Sequence, residues 1–416
     1  MKPPRPPLKS LDDALGELLA FAQPLAQWLE IDTFDADGCV LAQDLISELQ
    51  VPPQDNSSMD GYALRCADVA EAGSVLTVTQ RIPAGTQGIA VEAATAARIF
   101  TGAPIPEGAD AVVMQEDCEA LSSISATDPA QRVRILALPQ PGQWIRRAGE
   151  DVARGAVVLP RGTRLSPAAL GLAASIGLDR LAVIRAPRVA LFSTGDELVM
   201  PGTVPPQQMK PGAIYNSNRF FLRSLLKRLG CEVSDFGIVP DQRDATLQAL
   251  RDASLSHDLI LTSGGVSVGE EDHVKPAVQA LGELRLWQIA IKPGKPFAYG
   301  RIAQAHFIGL PGNPVSSFIT FLLLVRPFVL KLQGVSVLES QSMSLPAHFD
   351  WPRADKRREF LRVRRNAEGG LDLFSNQSSG VLTSAVWGDG LVDNAPGQRI
   401  ARGDRVRFIS FAELLA

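Results

Sequence analysis

Three stretches of this 416-residue chain put glycine, small hydroxyl residues and acids where a strand would hand over to a helix. They are Ser193-Thr194-Gly195-Asp196-Glu197 after VALF, Thr262-Ser263-Gly264-Gly265-Val266-Ser267-Val268-Gly269 after DLIL, and Gly309-Leu310-Pro311-Gly312-Asn313-Pro314-Val315-Ser316-Ser317. Glycine-rich loops entering helix N-termini expose backbone N–H groups and the positive end of a helix dipole, which suits phosphate. Any one of them is more simply a tight turn. Three on one sheet edge point to a phosphate-bearing ligand. Acids crowd the same loops: Asp196, Glu197, Asp241 after GIVP, and Asp272 just inside the helix expected after SGGVSVG. Singly, such acids serve as caps and dipole partners. Together beside an anion they would repel it unless a cation bridges them, and Mg2+ with oxygen ligands is the natural bridge. Lys292 and Lys295 of KPGKP are spaced to flank one phosphate or oxyanion, or else belong to a solvated loop. The four histidines (His257, His273, His306, His348) show no metal-ligand spacing. Ser193, Ser263 and Ser316 lack a nucleophile elbow and a histidine partner, which argues against serine-hydrolase chemistry.

Outside these loops, PQDNSSMDGYA (Pro53 to Ala63), FTGAPIPEGADAVVMQE (Phe100 to Glu116) and RRAGEDV (Arg146 to Val152) combine glycine with charge. Each reads as a loop that could join a site.

The elements that must position these residues follow from periodicity. Leu8 to Trp28 reads as a helix, with Leu11, Leu15, Leu18 and Leu19 at helical spacing, after an extended lead-in at Pro3 to Pro7. From about Val51 to Leu138 short β-rich runs alternate with Gly and Pro, and Ser166-Pro167 then opens a small-residue helix ending near Gly177. From Arg188 onward strands and helices alternate: VALFST, NSNRFFLRSLLKRLG, CEVSDFGIV, ATLQALRDA, HDLILTSGG, EDHVKPAVQAL, AHFIGLPGNP and VSSFITFLLLV. That alternation specifies a doubly wound parallel sheet with helices on both faces, whose ligand site lies beyond the carboxy ends of the strands. After about Val335 short strands and turns return, as in a small β-barrel-like domain. The fold class is therefore multidomain α/β. A doubly wound domain follows an elongated α+β region with a β-rich insertion.

Composition narrows the function classes. Lys plus Arg is 41 against Asp plus Glu 45, a net charge of −4, which gives no footprint for nucleic acid. Four distant cysteines form neither a redox pair nor a zinc knuckle, and they suit a reduced cytoplasm. The most apolar run, Phe318 to Val325, is expected to stop at Arg326-Pro327, well short of the ~20 residues of a membrane span. A cytoplasmic protein without membrane or nucleic-acid partners is the expectation.

Taken together, DNSSMDGYA, FTGAPIPEGADAVVMQE, RRAGEDV, STGDELV, NSN, TSGGVSVGEEDH, IKPGKPFAYG and GLPGNPVSSF occur in this order and at these separations. They closely resemble the molybdopterin molybdotransferases, the bacterial MoeA family that also includes the E domain of gephyrin. The resemblance is strong over roughly residues 8 to 335 and looser beyond, through RREFLRVR and Gln377 to Ser384. It implies a homodimer of four-domain chains: a discontinuous N-terminal domain (8–52 and 149–185), an inserted β-rich domain (53–148), the doubly wound molybdopterin-binding domain (186–334) and a C-terminal β domain (335–416). It implies transfer of molybdate into adenylylated molybdopterin with release of AMP, dependent on a divalent cation such as Mg2+. It also implies contacts with the adenylylating protein and with acceptor molybdoenzymes.

Residue by residue, the resemblance assigns Asp60, Thr101, Asp151, Glu197, Asp241 and Asp272 to the catalytic pocket, with Asp60 and Thr101 reaching in from the partner subunit. Glu197 and Asp241 are its metal candidates. Arg146, Ser263, Gly264, Gly265, Lys292, Lys295, Gly312, Asn313 and Pro314 are its substrate contacts, with Ser378 and Ser379 from the C-terminal domain. AVWGDGLVDNAPGQ, after Ser384, departs from the pattern by carrying charge and Asn where a plain apolar strand is expected. Two rivals keep the fold: adenylylation of molybdopterin by ATP, and transfer of tungstate. The long N-terminal region with DNSSMDGYA favours the insertion step, while the two oxyanions are too alike in size to separate. A third rival, a receptor-clustering scaffold of the gephyrin kind, goes with an extra N-terminal domain and long linker that this chain is not expected to have.

Overall fold

The computed structural model describes residues 8–121, 131–240, 242–265 and 273–415. The chain forms two compact units, one of Met1–Gln43, Arg161–Ser166 and Leu181–Ala416, the other of Asp44–Pro160 and Pro167–Arg180. The expected lead-in at Pro3 to Pro7 lies outside the described residues.

The smaller unit is built on a six-stranded sheet in the order Ala111–Met114, Gly61–Leu64, Thr95–Ile99, Val75–Ile82, Gln131–Ile135, Cys118–Leu121. Successive residues face opposite sides of a strand. Ala63, Ala97 and Val112 accordingly join one apolar cluster, and Leu64, Ala96 and Val113 the other. Gly61 has no alternative here, because a Cβ would stand 1.9 Å from the Val113 carbonyl oxygen.

In the larger unit a six-stranded sheet runs Glu232–Val239, Arg188–Thr194, Leu259–Ser263, Ala305–Leu310, Pro296–Ile302, Gly282–Gln288. The first four strands are parallel; the last two add an antiparallel edge that periodicity did not anticipate. Val189, Leu191, Leu259 and Leu261 pack against Leu222, Leu225 and Leu226 of the helix Asn218–Arg228 on one face. Ala190, Phe192 and Ile260 pack against Leu250 and Val278 on the other. That is the doubly wound arrangement. A further sheet places Ile291–Lys292, Arg358–Arg365, Gly390–Asn394, Arg405–Ser410 and Met343–Pro346 side by side, with Leu371–Leu373 pairing Arg358–Arg365.

Three expectations need correction. The first helix spans only Leu11–Phe21, and Trp28 opens a strand, Trp28–Asp32. Pro24 ends the helical register, since the residue before a proline is pushed out of the helical region. The apolar run does not stop at Arg326-Pro327. A π-helical turn over Phe321–Val325 admits the proline near the start of a following helix, Arg326–Leu332. Arg326 is buried there and donates to the Leu338 and Glu413 carbonyls and the Ser340 hydroxyl. The continuous run Pro314–Leu332, 19 residues, is long and apolar enough to cross a membrane, but 83% of it is buried inside the protein. Third, the divergent C-terminal segment includes a true strand, Gly390–Asn394. Its polar residues are answered: Asp393 pairs with Arg358 at 2.6 Å, and Asn394 donates to Glu359 and to the Gln398 carbonyl.

Candidate active site

Parallel pairing brings Ser193, Ser263 and Leu310 into register, so the three loops leave one sheet edge together. At Gly264 (φ +96°) a Cβ would meet the Thr194 carbonyl oxygen at 2.9 Å, and at Gly265 (φ +66°) it would meet the Val274 methyl at 2.5 Å. Both positions need glycine for conformation and for space. The Gly264 N–H donates to the Leu310 carbonyl at 3.1 Å. Asn218, first residue of the helix Asn218–Arg228, donates from Nδ2 to Ser263 Oγ and to the Gly312 carbonyl, each at 2.7 Å. Two residues earlier, the Asn216 N–H donates to the Val199 carbonyl at 2.9 Å. The sequence motif NSN thus ties together loops that were read as separate.

The Gly312-Asn313-Pro314 turn leads into a helix with Pro314 at its first position. Proline brings no N–H, and the Val315 N–H is taken by the Ser379 carbonyl at 2.9 Å. Ser379 therefore meets this turn through its backbone carbonyl. Ser378 accepts from the Arg362 guanidinium through its carbonyl at 3.2 Å. Around the same strand ends Ser193 Oγ, Thr194 Oγ1, Thr262 Oγ1 and Asn216 Nδ2 are buried without a hydrogen-bond partner among the described residues. Unpaired buried polar atoms are costly and cluster where function demands them.

Asp196 and Glu197 are exposed on the loop after Arg188–Thr194, where Gly195 has φ +136°. Asp241 and Asp272, and with them Val266 to Gly269, lie outside the described residues. Among the described residues no three His, Cys, Asp or Glu side chains gather as a metal site. Lys292 Nζ lies 3.0 Å from Glu359, on the strand Arg358–Arg365, and 3.6 Å from Asp355 in the loop before it, and Glu359 is only 1% exposed. Lys295 is half-buried, and its carbonyl accepts from the Ile289 N–H.

The smaller unit carries the remaining candidates. Asp60 Oδ1 accepts from the N–H and the hydroxyl of Thr101, each at 2.8 Å. These donors, led by the backbone N–H, hold the Asp60 carboxyl below the usual carboxylate range, with Arg98 nearby adding to the effect. Arg98 itself donates to the Gly61 carbonyl at 2.9 Å and to Gln115 at 2.6 Å. Arg146 pairs with Asn56 in a short ladder beside Asp55. The Asp55 carboxyl is likewise held low, by the Ala148 N–H first and by Arg147. Asp151 is exposed, and its N–H donates to the Val51 carbonyl. Asn218, Arg98 and Glu359, which contact or face the candidate residues, were not expected from the sequence. Asn218 could have been suspected, as a second Asn beginning the helix within a quoted motif.

An open parallel sheet with small-residue loops at its carboxy edge is the layout of a phosphoanion- or nucleotide-binding α/β enzyme. Comparison sharpens this. Residues 9–177 match the MoeA N-terminal region (domain I and II), 190–331 the "Probable molybdopterin binding domain", and 344–411 the MoeA C-terminal region (domain IV). A molybdopterin molybdenumtransferase from Haemophilus influenzae is 41% identical over 340 residues, 82% of this chain and 80% of its own. Molybdopterin molybdenumtransferase 2 from Mycobacterium tuberculosis is 35% identical over 91% of this chain and 93% of its own. A crystal structure of the molybdopterin biosynthesis MoeA protein from Pyrococcus horikoshii superposes with a TM-score of 0.83 at 28% identity, covering 97% of this chain and 100% of that one. The chain belongs to the molybdopterin molybdenumtransferase family.

Proposed function

We infer that this chain is a transferase of molybdenum cofactor biosynthesis, which inserts molybdate into adenylylated molybdopterin and releases AMP. The observation that carries the reading is the joining of the Ser263-Gly264-Gly265 loop and the Gly312 turn through Asn218, at the carboxy edge of the parallel strands. A phosphoanhydride fits such an edge, because backbone N–H groups offer hydrogen bonds to oxyanions at no cost in charge. Water attacks one phosphorus of the anhydride and the bridging P–O bond breaks, so AMP and the pterin phosphate separate, each with its own phosphate, and a proton is released. Two Mo–O bonds of molybdate then give way to two Mo–S bonds to the dithiolene sulfurs, the displaced oxygens leaving as water with the thiol protons and protons from solvent. Lys292 and Lys295 are the cations for that side, with Arg146, Asn313 and Pro314 shaping substrate contacts and Asp151 and Asp272 completing the acids.

Glu197 and Asp241 would hold the divalent cation, which when bound neutralises charge between carboxylates and anhydride. The donor chemistry supports this: Glu197 is an exposed carboxylate with no basic partner among the described residues. Asp60, kept ionised by Thr101, is suited to order the attacking water or accept its proton. We propose that it does so across a homodimer, within the four-domain division 8–52 with 149–185, 53–148, 186–334 and 335–416. Cytoplasmic operation, with substrate handed over by the adenylylating protein and product passed to acceptor molybdoenzymes, belongs to the same proposal.

Incubating the purified chain with adenylylated molybdopterin, molybdate and Mg2+ tests the reading. Molybdate-dependent AMP release and reconstitution of an apo-molybdoenzyme are expected. AMP retained with no cofactor formed, with tungstate as with molybdate, would overturn it.

A further inference from the structure

We propose that Asn218 is a positioning residue that locks the Ser263-Gly264-Gly265 loop and the Gly312-Asn313-Pro314 turn into one wall of the pterin-nucleotide site. The inference rests on the function proposed above. It assigns the role to a residue that carries neither charge nor nucleophile.

The geometry is specific. One amide nitrogen has two hydrogens, and here each has its own acceptor: Ser263 Oγ and the Gly312 carbonyl, both at 2.7 Å. The two acceptors lie on different loops, 45 and 94 residues from Asn218 in the chain. Asn218 is 8% exposed and Ser263 4%, so water competes poorly for either bond. Between the two loops no other side-chain bond is recorded among the described residues. The backbone adds one link at the base, from the Gly264 N–H to the Leu310 carbonyl. Gly264 and Gly312 themselves approach closely: a Cβ built on Gly312 would lie 4.0 Å from the Gly264 Cα. Small residues let the loops meet, and they leave no side chains to hold them in register. The amide supplies what glycine cannot.

The same segment reaches the third loop. Its Asn216 N–H holds the Val199 carbonyl, just beyond Glu197. A short segment, Asn216 to Asn218, that bonds all three loops as it enters the helix transmits a shift in one to the others. Loss of the Asn218 amide should therefore loosen the SGG loop and the GNP turn together. Each N–H aimed at an oxyanion would then have to be ordered again on binding.

The test uses the full chain with Asn218→Ala, with Ser263→Ala, and with both. Hydrogen exchange is followed over residues 259–265 and 310–317, and KM and kcat for AMP release are measured alongside. Asn218→Ala should speed exchange in both segments at once and raise KM for the pterin nucleotide at least tenfold. Ser263→Ala should raise KM less, because the bond to Gly312 survives, and the double variant should be no worse than Asn218→Ala alone. Should Asn218→Ala fold poorly, Asn218→Ser replaces it, keeping a polar residue at the helix start. Unchanged exchange in either segment, or additive effects in the double variant, overturns the inference. Exchange reads the lock without turnover, so a wild-type chain that releases no AMP would count against the function alone.

Discussion

Asp60 is held at three points of its own residue: two Thr101 donors on the carboxylate and the Gln115 N–H on its carbonyl. Such restraint suits an acid that must point one way and stay charged. Asp60→Ala should abolish AMP release while light scattering finds the oligomer unchanged. The pH profile is more telling. Because donors from Thr101 keep the carboxyl low, wild type retains the carboxylate to more acid pH than an ordinary aspartate. Thr101→Val removes the hydroxyl donor and should move the acid limb of the rate profile to higher pH; an unmoved limb removes Asp60 from the chemistry. At the other site, Glu197→Gln should raise the Mg2+ needed for half-maximal rate, read directly from a Mg2+ titration. An identical titration curve excludes Glu197 from the cation shell.

At the scale of elements, legibility followed the range of the interactions. The four parallel strands and their helices could be read because each is a local run with its own period. The edge strands Gly282–Gln288 and Pro296–Ile302 could not, because they flank the KPGKP loop and lack that alternation with helices. Glycine-rich motifs announced the Gly264 and Gly312 turns, whose constraints are written in their own residues. The partner of Lys292 was invisible, since Glu359 sits 67 residues away and acquires its place only when Ile291–Lys292 pairs with Arg358–Glu359. His306, one of the four histidines without metal-ligand spacing, belongs to the strand Ala305–Leu310 and bonds Tyr299 at 2.9 Å in the core. Burial lowers its imidazole from 6.5 to about 4. The unfolded chain binds that proton from pH 6.5 downward and the folded chain does not until about 4, so stability falls as pH drops through this window. At about 1.4 kcal/mol per pH unit the loss is roughly 3 kcal/mol. Urea midpoints across that window should slope less in His306→Gln than in wild type.

For the whole molecule, the exposed apolar residues of the N-terminal segment bear on the proposed dimer. Phe34 is 95% exposed, Trp28 58% and Leu29 42%. Solvent-facing aromatics in one short segment mark a surface that gains from being covered. Phe34→Glu should shift the chain toward monomer in light scattering with its thermal midpoint little changed; a dimer indifferent to that charge places the interface elsewhere.

The helix Pro314–Leu332 has a consequence for how the protein is made. Its apolar residues share a core with Phe360, Leu391, Ile409, Phe411 and Leu414, all later in the chain. When the ribosome has released Leu332, that cover does not yet exist, and the exposed run passes for a membrane span by length and hydropathy. Chaperones that shield nascent apolar helices, and the targeting machinery that reads them, would meet this segment before its own C-terminal sheet does. A chain that terminates early, before Arg358, would keep the Gly264 and Gly312 loops and leave this helix without the cover of Phe360, Leu391, Ile409, Phe411 and Leu414.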